Sequence, residues 1–167
     1  MTALEAWNCL PSPEAVSRIL ACCGSQAFAS AVVKARPFAD LESLLVASDR
    51  VWASLAESDW REAFACHPRI GESAAHASRQ FSAWSSQEQS LVSTAETPVL
   101  ASIAAKNREY EQRHGFIYIV CASGKSADEL LEILDRRLAN PTGLEIQEAA
   151  EQQRQITALR LRKLFTP

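Results

Sequence analysis

Only one run in this chain has the composition of a β-strand. Phe116-Ile117-Tyr118-Ile119-Val120-Cys121-Ala122 is rich in β-branched and aromatic residues, and nothing like it recurs elsewhere. A sheet needs a second strand, because each strand leaves a row of N–H and C=O groups that must be paired. A chain with a single such run cannot build one. The run therefore reads as a buried extended segment, and the remainder must be helix and loop. The expected class is all-α, a single-domain helical bundle of about seven to nine helices with that one segment near 116–122.

Helix punctuation supports this. Ser12-Pro13-Glu14 sets an N-cap before a proline at the first helical position, with Gly24 at the far end. A second helix is expected from Ser25 to Ala35, ahead of Pro37. Asp40 caps a third, in which Leu41, Leu44, Leu45, Ser48, Val51, Trp52 and Leu55 follow a 3.6-residue period. Ser58-Asp59 opens a short turn carrying Trp60 and Phe64, closed by Pro68. The polar stretch from Ile70 to Ala83 reads as loop or weak helix. Ser85-x-x-Glu88 and Ser126-x-x-Glu129 both match capping boxes, and Thr97-Pro98 starts a helix that Gly115 should end. The second box opens a helix to about Asn140, and a long charged helix runs from about Gly143 to Phe165. No repeat or linker interrupts the pattern, so one domain is expected over residues 1–167.

Composition narrows the class of partner. Of 167 residues, 47% are apolar, enough for a real core. The 17 Lys and Arg are interspersed with 20 Asp and Glu, for a net charge of -3, so no basic footprint suggests a nucleic acid. No run approaches the ~18 apolar residues of a membrane span, and none is expected. The N-terminus lacks a basic region followed by an apolar run, and the terminal Leu-Phe-Thr-Pro is no peroxisomal address. The five cysteines are odd in number, and Cys22 and Cys23 are adjacent. They read as small core hydrophobes in a reducing, cytoplasmic setting.

Chemistry has few places to sit. His67 precedes Pro68, which forces it out of helical geometry and lets its imidazole project from a helix end. A fixed imidazole there suits general acid/base work, or else it only satisfies helix carbonyls. Glu88 either reaches back to the Ser85 amide as a cap or joins Ser85 and Gln89 in a polar cluster near unpaired amides. Arg160, among Ile156, Leu159, Leu161 and Leu164, is either partly buried against an anion or a snorkelling helix-end residue. His67, Glu72, His76 and His114 show no HExxH pair, and no CxxC, GxGxxG, P-loop or GxSxG occurs. His76 and His114 read as surface or packing residues. No metal site is expected.

The ordered set of motifs resembles one family. It runs Arg36-Pro37-Phe38, then Trp60-x-x-Ala63-Phe64-x-x-His67-Pro68-Arg69-Ile70-Gly71, then Ser85-x-x-Glu88-Gln89. It continues with Asn107-x-x-Tyr110-x-x-Arg113-x-Gly115-Phe116, Arg137-Leu138-x-Asn140, Glu145, and Ile156-x-x-Leu159-Arg160-Leu161. From Arg36 to Leu164 the chain is similar to the 2-oxo-4-hydroxy-4-carboxy-5-ureidoimidazoline (OHCU) decarboxylases, which close the route from urate to allantoin. His114 and Tyr118 stand where phenylalanine is common, and the Ala-Gly pair often found after Glu-Gln is absent.

The resemblance implies an all-helical, cofactor-free homodimer that releases CO2 to give (S)-allantoin. It implies His67 and Glu88 as catalytic residues, and Pro68, Ser85, Gln89, Arg160 and the run Tyr118, Ile119, Val120, Cys121 and Ala122 as substrate contacts. Two other readings remain: a metal-assisted cyclic ureide hydrolase using His67, Glu72 and His76, and a non-catalytic helical interaction domain.

Overall fold

The computed structural model describes residues 1–71 and 79–166, and every regular element among them is α-helical. In chain order these are α1 (Ala3–Asn8), α2 (Ser12–Cys22), α3 (Gln26–Lys34), α4 (Leu41–Ser54), α5 (Glu57–Ala65), α6 (Arg79–Glu88), α7 (Thr97–His114), α8 (Ala127–Leu138) and α9 (Thr142–Phe165). Phe116 to Ala122 carries no strand pairing among the described residues, and Phe116 and Tyr118 to Ala122 are buried. The all-α class and the lone buried segment are both as the sequence predicts. Contacts divide the chain into two compact units, Met1–Ala63 with Arg154–Pro167, and Phe64–Gln153.

In the first unit α2 packs on α3 and α3 on α4. Ser25 caps α3 by accepting from the Phe28 amide, and Asp40 forms a reciprocal capping box with Ser43. The proline of α2 sits just inside the helix as expected, although the N-cap position falls on Pro11. α1 was not apparent beforehand; Thr2 and Glu5 close a capping box around it. That short helix survives because Trp7 is fully buried, donates Nε1–H to the Ala15 carbonyl at 3.2 Å, and meets Phe165 edge-on at 5.4 Å. Burying so large a side chain outweighs the poor intrinsic stability of a six-residue helix.

Arg36-Pro37-Phe38 has a structural task in this unit. Arg36 donates to the carbonyls of Trp7 at 2.9 Å, Asn8 at 3.3 Å and Leu10 at 3.0 Å, at the C-terminal end of α1 and just past it, where carbonyls are in excess. Asn8 exchanges two hydrogen bonds with the backbone of Phe38.

In the second unit α7 packs on α8. α7 ends where Gly115 takes φ +75°, a left-handed conformation that glycine adopts without strain. α8 begins at the Ser126–Glu129 capping box, as expected. The Ser85–Glu88 pattern is not a capping box. The helix has already begun at Arg79, so both residues fall in its last turn, and the stretch to Ala83 is in part helical. Local spacing alone cannot tell a helix start from two positions on a running helix.

Cys22, Cys23 and Cys121 are buried as expected, whereas Cys9 is exposed at the surface. Among the described residues no helix is long and apolar enough to cross a membrane.

Candidate active site

His67 follows α5 by two residues. Its amide donates to the Phe64 carbonyl at 3.0 Å, and Pro68 then bars the helix from continuing. The half-buried imidazole points its Nε2 at the Oε1 of Gln153, 2.7 Å away. Gln153 is fully buried on α9, in line with Ile146, Ala149 and Ala150. An amide oxygen can only accept, so in this pair Nε2–H donates.

The chain turns immediately after His67. Gly71 takes φ +86° and donates its amide to the Oε1 of Gln89 at 2.9 Å. That bond ties the His67-Pro68 turn to the end of α6, where Gln89 follows Glu88. Ser85 is buried one turn back, and the Gln89 amide donates to its carbonyl at 3.1 Å. The polar cluster thus stands at a helix C-terminus, where carbonyls rather than amides are in excess. The expectation of a helix N-terminus with unpaired amides at Ser85 and Glu88 is therefore corrected. Such an end favours N–H donors in a bound molecule over negative charge.

The buried segment from Tyr118 to Ala122 is held by side chains. Arg137 donates Nη1–H to the Ile119 carbonyl at 2.6 Å, Gln152 accepts from the Cys121 amide at 2.9 Å, and Lys125 donates to the Cys121 carbonyl at 2.7 Å. With the Ala122 carbonyl accepting from the Lys125 amide at 3.0 Å, four of its backbone groups are already committed. Val120, at its centre, takes no hydrogen bond from the described residues, so its amide and carbonyl could still meet a ligand.

Beneath the segment lies a buried ionic network. Arg137 donates Nε–H to Glu145 at 2.6 Å, Tyr110 donates its hydroxyl to the same carboxylate, and Asn140 donates to the other oxygen at 2.8 Å. The Arg137 guanidinium also lies 5.0 Å from the centre of the Tyr118 ring. Burial raises the Tyr110 and Tyr118 hydroxyls far above the usual phenol range, so both stay protonated. Burial is the largest influence on Arg137 and opposes its charge, yet the hydrogen bond and charge of Glu145 with the adjacent Tyr110 and Tyr118 together raise its pKa. Tyr110, Arg137, Asn140 and Glu145 all belong to the motif set. Their work here is to hold Tyr118 to Ala122 in place.

Arg160 is fully buried in the part of α9 that belongs to the first unit, so it is not a snorkelling residue. Glu72 and His76 lie outside the described residues. Among the described residues no three His, Cys, Asp or Glu side chains gather closely enough to hold a metal ion. His114 is buried, with Nδ1 3.0 Å from the Thr142 hydroxyl and its ring against Tyr110 and Phe116, a packing residue as expected.

Gln153 and Gln152 were not singled out from the sequence. A signal was present: on α9 the apolar stripe Ile146, Ala149, Ala150, Ile156 and Leu161 also contains Glu145, Gln153, Thr157 and Arg160, all buried. Polar residues on a core-facing stripe need partners, as Gln153 finds in His67 and Glu145 in Arg137, Tyr110 and Asn140.

The profile of the OHCU decarboxylase family matches residues 8–162. The "Uric acid degradation bifunctional protein TTL" of Arabidopsis thaliana is 36% identical over 147 residues, 87% of this chain and 45% of that protein, so the chain spans under half its length. The "2-oxo-4-hydroxy-4-carboxy-5-ureidoimidazoline decarboxylase" of Amia calva is 28% identical over 138 residues, 82% of this chain and 79% of that one. A crystal structure of OHCU decarboxylase in the presence of (S)-allantoin superposes with a TM-score of 0.78 at 31% identity, covering 89% of this chain and 96% of that one. A crystal structure of (S)-allantoin synthase shares the fold, with a TM-score of 0.73 at 18% identity over 97% of this chain and 54% of that one. With its profile matched almost end to end, this chain belongs to the OHCU decarboxylase family.

Proposed function

We propose that this chain is a carboxy-lyase that converts 2-oxo-4-hydroxy-4-carboxy-5-ureidoimidazoline to (S)-allantoin without a cofactor, with His67 as general acid/base. The observation that carries the reading is the His67–Gln153 hydrogen bond of 2.7 Å, which fixes the one histidine of the motif set in a defined orientation. Family membership supplies the substrate class.

The chemistry suits such residues. The bond between the ring carbon and its carboxylate breaks, CO2 departs, and the electron pair moves toward the adjacent ring C=N. The ring hydroxyl gives up its proton to His67 Nδ1 and becomes a carbonyl, while the former C=N nitrogen and the carbon bearing the ureido group each take a proton. One proton is taken up from solvent overall. Because the substrate's own C=N accepts the electrons, the protein's part is to orient, desolvate and move protons.

In this reading Glu88 acts with His67 in catalysis. Arg160 binds a charged or polar group of the substrate, and Pro68, Ser85, Gln89 and Tyr118 to Ala122 line the heterocycle. Residues 1–167 serve as one decarboxylase-like domain. The enzyme works in the cytoplasm as a homodimer, with a small ureide as partner rather than nucleic acid or membrane.

The test generates the substrate in situ by oxidising urate and follows optical activity. Uncatalysed decay gives racemic allantoin, so an enantiomeric excess that grows with enzyme concentration supports the reading. Racemic product at the background rate would refute it. Undiminished activity after chelation would dismiss a metal-assisted hydrolase.

A further inference from the structure

We infer that Gln153 is a positioning residue for the decarboxylation, locking His67 in the tautomer whose Nδ1 is basic. This rests on the reading of His67 as the proton carrier. Gln153 is fully buried and its Oε1 lies 2.7 Å from His67 Nε2, across a sequence separation of 86 residues. A buried amide on a stripe of Ile146, Ala149 and Ala150 is expensive to keep unless its polar atoms are used. Here the oxygen is used on the ring nitrogen.

An imidazole with Nε2 protonated offers its lone pair at Nδ1 alone, so the acceptor on one side of the ring decides which side is the base. The identity of the acceptor matters as much as its position. A carboxylate in this place would favour the imidazolium and raise the histidine pKa, whereas a neutral amide fixes the tautomer without adding charge. An imidazole required to begin the reaction neutral is served by an amide. Nearby charge is also contained: Arg69, two residues along the chain, pairs with Glu111 of α7 through an Nη2–Oε2 bond of 3.0 Å. The other titratable groups on the elements that flank the ring are Glu62 and Cys66 at the end of α5, Glu88 of α6, and Glu148, Glu151 and Arg154 beside Gln153 on α9.

The experiment combines nitrogen NMR of histidine-labelled protein with pH profiles of kcat. The His67 signals are assigned by their loss in His67→Ala. In the wild type above the histidine pKa, Nε2 should carry the proton. Gln153→Leu keeps the volume and removes the acceptor. It should give a mixture of tautomers and lower kcat by about tenfold or more with KM little changed, a smaller loss than removing the imidazole itself. Gln153→Glu keeps an acceptor and the tautomer, and should move the acid limb of kcat upward by about one pH unit or more.

A wild-type spectrum with the proton on Nδ1 overturns the proposal, as does an acid limb left in place by Gln153→Glu. If Gln153→Leu does not fold, the wild-type spectrum and the Glu variant still decide. A wild-type protein with the Nε2–H spectrum but no decarboxylation overturns the activity and leaves the tautomer lock standing.

Discussion

Arg137 reaches the carbonyl of Ile119 at 2.6 Å while its other edge is neutralised by Glu145, so one buried ion pair sets the height of the extended segment. Arg137 is 2% exposed and Glu145 not at all. Removing one partner leaves the other charge buried and alone. Arg137→Met should therefore cost about 3–5 kcal/mol, and Arg137→Met with Glu145→Leu much less. Urea denaturation of the single and double variants checks this; equal losses would mean that the pair is not coupled.

His114 should make the fold acid-sensitive. Burial lowers its pKa below the ordinary histidine value of 6.5. Above that value the ring is neutral in both native and unfolded chains, and it contributes no pH dependence. As pH falls through it, the unfolded chain takes up a proton that the native state resists. Stability then declines with falling pH until the native pKa is reached. His114→Phe, placed between the Tyr110 and Phe116 rings, should remove this component. Urea midpoints compared between about pH 8 and pH 5 measure it.

Arg36→Ala should release α1. It removes the donor to the carbonyls of Trp7, Asn8 and Leu10, at a cost of about 1–3 kcal/mol. Amide exchange across residues 3–10 should accelerate while that of α8 stays slow. Uniform acceleration would mean that α1 is not a separable unit.

His67→Ala should lower turnover by roughly 10²–10⁴-fold while leaving the urea midpoint close to wild type, since the ring is only half-buried. Near-normal kcat in that variant would remove His67 from the chemistry.

Arg160→Lys should raise KM although the charge is kept. A fully buried guanidinium presents a planar fork that an ammonium cannot reproduce. Unchanged KM with lowered stability would mark Arg160 as a packing residue.

Legibility from sequence followed the range of the signal. Ser126 and Glu129 close their capping box within one turn, so spacing alone reveals it. Ser85 and Glu88 have the same spacing but different meaning, because what matters is where α6 began, and the polar residues before it gave no start signal. The lone strand-like run was legible as a buried segment because backbone pairing is an all-or-nothing demand. What holds it was not legible. Arg137, Gln152 and Lys125 come from separate places in the chain, and only folding brings them to one backbone stretch. Gln153 was hidden for a similar reason, since its partner lies 86 residues away.

Trp7 and Phe165 meet edge-on at 5.4 Å, so α1 and the last turn of α9 lie against one another. This aromatic contact acts as a clasp: it fastens the C-terminal part of α9 into a unit otherwise built from the N-terminal helices.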